Sequence, residues 1–105
     1  MSDTDTAITI THHVQGQGGA YVAVVAGASE EAYLKWEAGG TRDGKEIRIA
    51  AHTVVPRAIG GRGVAGQLVN RLVADAGRLG FLIRPDCSYV AAKFAENPDW
   101  AELRA

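Results

Sequence analysis

Lys45-Glu46-Ile47-Arg48-Ile49-Ala50-Ala51-His52-Thr53-Val54-Val55-Pro56-Arg57-Ala58-Ile59-Gly60-Gly61-Arg62-Gly63-Val64-Ala65-Gly66-Gln67-Leu68 is the stretch whose reading decides the fold. Glu46 to Val55 is rich in β-branched and apolar residues and reads as a strand. Pro56 closes it, because proline cannot donate to a ladder. From Gly60 the chain becomes glycine-rich and then opens into a helix. The first helical turn leaves its N–H groups without intrahelical partners, and the helix dipole adds partial positive charge there. Such a junction holds an anion, phosphate above all, on backbone alone. Gly61 and Gly63 let the backbone approach closely, and Arg62 adds a formal charge.

Working outward, Val64, Ala65, Leu68, Val69, Leu72, Val73, Ala76 and Leu79 recur at helical spacing. Gln67, Asn70, Arg71, Asp75 and Arg78 take the other side, so the expectation is an amphipathic helix with its apolar stripe on a sheet. Gly80 stops it. Phe81–Arg84 is a short strand, and a strand, crossover helix and strand imply parallel pairing. Pro85-Asp86 breaks that strand, Asp86 is placed to cap the next helix, and Val90, Ala91 and Phe94 mark the helix up to Asn97-Pro98. A last turn is expected within 99–105.

Upstream, Ala7–Val14 reads as an edge strand and Ala20–Ala26 as a second strand, apolar on both faces. Glu31–Ala38 is a third, with Ala32, Leu34 and Trp36 on its buried side. Gln15–Gly19 and Gly39–Gly44 read as loops, the latter ending in the hairpin signal Asp43-Gly44. His12 and His13 point to opposite faces, cannot share a metal, and read as surface residues. The fold class is therefore α+β with a mixed sheet: an antiparallel meander of four strands, a helix, a parallel fifth strand and a C-terminal helix. Residues 1–6 are expected to be a disordered tail, and residues 7–105 a single domain.

Composition narrows the function. A net charge of −1 with no basic run argues against a nucleic-acid surface. No apolar run is long enough to span a bilayer. The acidic, polar start has no targeting signal, and the lone Cys87 has no internal disulfide partner, so the expected compartment is the cytoplasm. No metal-ligand set stands out.

Three motifs in order now carry a resemblance: His52-Thr53-Val54-Val55-Pro56, Gly61-Arg62-Gly63-Val64-Ala65 and Pro85-Asp86-Cys87-Ser88-Tyr89. With Ala32-Tyr33-Leu34-Lys35-Trp36 they resemble the short single-domain branch of the GNAT superfamily, the acyl-CoA-dependent N-acetyltransferases, over roughly residues 20 to 100. That superfamily's pyrophosphate signature is Arg/Gln-x-x-Gly-x-Gly/Ala. Gly63 and Ala65 match its small positions, but Gly60 stands where Arg or Gln is usual. Arg57 or Arg62 is then the candidate to compensate.

The resemblance implies acetyl-CoA as cosubstrate. Its pyrophosphate would lie over Gly61, Arg62, Gly63, Val64, Ala65 and Gly66, and its pantetheine arm along Val54 and Val55. It also implies Cys87 near the thioester as an acyl carrier, and Tyr89 as proton donor to the leaving thiolate. From the residues themselves, Cys87 lies at a predicted helix N-terminus, which favours thiolate. His52, near a strand end, is the candidate base for Cys87 or for an amine. Larger members insert two helices between their first two strands. Only Gln15–Gly19 lies there in this chain, so the acceptor side is expected to be open. That suits a peptide or protein amine, or a site completed by a second subunit; the chain is expected to be a monomer or homodimer. The expected function is acetyl transfer to an amine, directly or through Cys87. The alternative is a non-catalytic acyl-CoA-binding or protein-interaction module, favoured by Gly60.

Overall fold

The structure is a computed structural model that describes residues 7–105; the tail expected over residues 1–6 lies outside the described residues. Its elements are β1 (Ile8–Gln15), β2 (Gly18–Val25), β3 (Glu31–Arg42), β4 (Lys45–Val54), α1 (Val64–Leu79), β5 (Leu82–Pro85) and α2 (Ser88–Glu96). Short 3-10 turns follow β4 at Arg57–Ile59 and α2 at Pro98–Leu103. The strands lie in the order β1-β2-β3-β4-β5, the first four antiparallel and β5 parallel to β4. This is the mixed α+β sheet expected from the pattern.

Two expected loops are tighter than their glycines suggested. Gln15 pairs with Gly18, leaving Gly16-Gln17 as a two-residue hairpin turn. β3 runs on through Gly39 and Gly40 to Arg42, and only Asp43 and Gly44, at φ of +53° and +82°, make the turn. Both central residues at positive φ are what a hairpin turn matched to strand twist requires.

Alternation on the strands separates two faces. One carries Tyr21, Ala23, Val25, Ala32, Leu34, Trp36 and Ala50, all buried with Leu68, Val69 and Leu72 of α1 and Val90 and Phe94 of α2. The helices and the final 3-10 turn contact one another, so they form a single layer on this face. The other face bears no helix among the described residues.

Under the C-terminal half of α1 lies a polar cluster that the pattern hid. Asp75, expected on the solvent side, is buried and accepts a hydrogen bond from the Tyr21 hydroxyl at 2.8 Å. Arg78 and Arg71 complete its shell at 3.0 and 3.4 Å. His12, expected at the surface, is half-buried: it stacks on Tyr21 with ring centroids 4.2 Å apart and accepts from Trp36 Nε1 at 3.0 Å. The physical reason is that Tyr, Asp and Arg bury polar tips when those tips find partners.

Candidate functional site

The site forms where β4 and β5 part. Their ladder runs from Ile47 opposite Leu82 to Ala50 opposite Pro85. Beyond it the Cys87 N–H donates to the Ala50 carbonyl at 2.8 Å. From His52 to Val54, β4 pairs with β3 only. A wedge therefore opens on the β5 side of β4, beside the backbone of Val54; Val55 follows it, half-buried and packed on the core.

A β-bulge shapes this end of β4. Lys35 pairs with His52 but Trp36 pairs with Ala50, so Ala51 is an extra residue on β4. A one-residue slip exchanges the two faces of a strand. Thr53, opposite the buried Leu34, is thereby turned to the helix side, and His52, opposite Lys35, to the helix-free side, where it is exposed.

Cys87 is half-buried at the N-cap of α2, and its Sγ lies 3.5 Å from Thr53 Oγ1. Asp86, expected to cap α2, instead binds Arg84 at 2.8 Å, and no side chain caps the helix. Burial pushes the Cys87 thiol up. The Thr53 hydroxyl, the N–H groups of Val90 and Tyr89 in the first turn of α2, and the Thr53 backbone outweigh it, holding the thiol below its ordinary value. The sequence had pointed to His52 as the base beside this thiol. The structure puts Thr53 there, because the bulge carries His52 to the other face.

The glycine turn lies at the start of α1. Gly61 and Gly63 both have φ of +74°, a left-handed conformation on either side of Arg62. Gly63 is the N-cap, and the first intrahelical bond runs from Gln67 N–H to the Gly63 carbonyl. The N–H groups of Val64, Ala65 and Gly66 precede it. No side chain caps them and the first turn holds no acid. Uncapped N–H groups after alternating backbone conformations make a concavity suited to an anion. Arg62 is exposed beside it, and so is Arg57, in the 3-10 turn after Pro56. Gly60 has φ of −71°, which any residue adopts, so its lack of a side chain is not imposed by the backbone.

Tyr89, one turn into α2, joins the two helices. A Cβ built on Gly66 would meet the Tyr89 hydroxyl at 3.7 Å, so the phenol tip lies against α1 just past the uncapped turn. The structure thus gathers the expected backbone groups, Cys87 and Tyr89 near the wedge, and sets His52 apart. Thr53 is the site residue that sequence reasoning missed; its signal was the parity of β4, hidden by the bulge.

With this geometry in place, the comparisons give a family. The profile of the GCN5-related N-acetyl-transferase family matches residues 20–103 of the 105. The chain belongs to that family, whose chemistry is acyl transfer. No curated protein matches it significantly. Among the described residues no helix is long and apolar enough to cross a membrane.

Proposed function

Proceeding from that membership, we propose that the chain moves an acetyl group from acetyl-CoA to an amine, with Cys87 carrying the acetyl between them. The observation that supports this best is the pairing of an uncapped, acid-free helix start with a half-buried cysteine of lowered pKa at the adjoining wedge. In this reading the pyrophosphate sits on the N–H groups of Val64, Ala65 and Gly66, with Arg57 and Arg62 at its rim. The pantetheine arm follows the unpaired side of β4 at Val54 and Val55, as a strand follows an open edge.

Chemistry then proceeds in two steps. The Cys87 thiolate, stabilised by Thr53 and the start of α2, attacks the thioester carbonyl. The carbon–sulfur bond to CoA breaks, and the departing thiolate takes the Tyr89 phenol proton. A neutral amine next attacks the acetyl-cysteine, the thiolate of Cys87 leaves, and the amine's proton passes to solvent and so back to Tyr89. Splitting one acyl transfer into two is what an activated thiol contributes. His52, exposed on the helix-free face, is a base only for an amine arriving from that side. Only a two-residue turn joins β1 and β2, so no inserted helices wall the acceptor side, which suits a peptide or protein amine.

Intact mass after incubation with labelled acetyl-CoA tests the reading. The expected result is one acetyl on the wild type and none on Cys87→Ala. CoA binding without transfer to Cys87 or to any amine would make the chain an acyl-CoA-binding module. Transfer that survives Cys87→Ser would mean direct attack by the amine, with Tyr89 still the proton donor.

A further inference from the structure

We infer that the helix-free face of the sheet is where two copies of this chain pack together, related by a two-fold axis along one row of side chains. The strand registers define that row: Thr11 opposite Val22, Val22 opposite Tyr33, Tyr33 opposite Val54. On one side of it lies the row Thr9, Val24, Glu31. On the other lies the row His13, Ala20, Lys35, His52.

A two-fold axis in the plane between two facing sheets and perpendicular to their strands places each strand over its own copy, run the other way. Each flanking row then lies on the opposite flanking row of the second copy. Glu31 of one copy meets Lys35 of the other, twice over, and the larger Val24 meets the smaller Ala20. Val22, Tyr33 and Val54 meet themselves along the axis. Acid on base and large on small is the self-complementarity that an isologous interface demands. Shifting the axis to the neighbouring row would put Lys35 on Lys35, so the charges select this register.

The face is otherwise costly to leave wet. Val24 and Val54 are 39% and 41% exposed, half-buried Ala20, Val22 and Tyr33 lie in the same or neighbouring rows, and Ile47 and Ile49 lie farther along this face. A shallow hollow of about 270 Å³ lies between Ala20, Val22, Glu31, Tyr33 and Lys35, the middle of the proposed contact. Two sheets packing face to face close such a surface at a spacing of about 10 Å. With Val54 on the axis row, the second copy also covers the sheet face next to the wedge. The inference stands on the sheet alone and does not depend on Cys87 or on acetyl-CoA.

Charge reversal tests it. In sedimentation equilibrium over a concentration series, the wild type should move from 11.1 kDa toward twice that mass. Glu31→Lys and Lys35→Glu should each weaken association by about tenfold or more, since each sets like charges on one another at both contacts. An equimolar mixture of the two variants should recover the dimer, because each supplies the charge the other lacks. Both positions are exposed, and circular dichroism checks that the variants fold. A wild type that stays at 11.1 kDa overturns the inference and leaves the face to another occupant. Single variants that dimerise as the wild type does, or a mixture that fails to recover, overturn it as well.

Discussion

The two ends of α1 are built on opposite terms. At its C-terminal half the sheet and helix bury polar groups and pair them: Asp75 takes Tyr21, Arg71 and Arg78, and His12 takes Trp36. Arg48 lies between two rings, its guanidinium 4.2 Å from Trp36 and 4.0 Å from Phe81. Its Nη1 has no hydrogen-bond partner, and the ring faces meet its charge instead. At the N-terminal end nothing is paired off: the helix is uncapped, the first turn has no acid, and β4 runs past the last rung of β5. One end commits its polar groups to stability, and the other leaves uncapped the N–H groups to which the proposed function assigns the pyrophosphate. Variants at the closed end should therefore move stability and spare binding, and variants at the open end should move binding whatever they cost in stability.

The largest effect should come from Asp75→Ala. It removes the acceptor from a buried tyrosine hydroxyl and the counter-charge from two arginines. Arg71 and Arg78 can reach water, so the loss is less than for a sealed pair, on the order of 3 kcal/mol. Urea unfolding should show it, while CoA affinity of the folded variant stays at the wild-type value. A matching loss of affinity would mean the two ends are coupled through α1.

Gly63→Val is the counterpart at the open end. At φ of +74° a β-branched residue is strained, and its side chain fills the concavity over the first turn. CoA affinity should fall at least tenfold, about 1.4 kcal/mol. Calorimetry on a folded variant that returns unchanged affinity would remove the pyrophosphate from this turn.

Thr53→Val separates the two explanations of Cys87. Without the hydroxyl, burial acts on the thiol with less to oppose it, so its pKa rises toward the ordinary value. Iodoacetamide alkylation near neutral pH should slow several-fold, and His52→Ala should leave it alone. The reverse result would restore His52 as the neighbour of Cys87 and require a different bulge.

That contrast also marks what could be read from the residues. The strands, α1 and the glycine turn before it were legible because period and glycine placement are local signals. The mixed sheet followed from the same periods, and the expected family from three ordered motifs. The bulge at Ala51 was not legible: Ala50-Ala51-His52 has no glycine or proline to mark it, and one extra residue exchanges His52 for Thr53. Asp75 and His12 were misplaced for a related reason. Their partners, Tyr21 and Trp36, are 54 and 24 residues away in sequence, and a helical or strand pattern scores a paired carboxylate or imidazole as surface. The sequence pattern also gave no hint that the helices all lie on one face.

The smallest effect belongs to His12 and concerns pH. Trp36 Nε1 donates to His12 Nε2, so that nitrogen carries no proton in the fold. Burial lowers the imidazole's pKa below its ordinary value, and Arg48 adds to this, against an opposing pull from Asp75. The unfolded chain, with an ordinary histidine near 6.5, therefore binds a proton at a pH where the folded chain does not. The stabilisation is fully present above about pH 6.5 and is lost as pH falls toward the lowered folded value, where the folded ring protonates too. His12→Phe keeps a ring on Tyr21 but cannot titrate. Unfolding free energies between pH 7.5 and 5.5 should fall more steeply for the wild type than for this variant, by no more than about 1.4 kcal/mol per pH unit. Equal slopes would mean that His12 takes its proton without leaving Trp36, and that the closed end of α1 is looser than its hydrogen bonds make it.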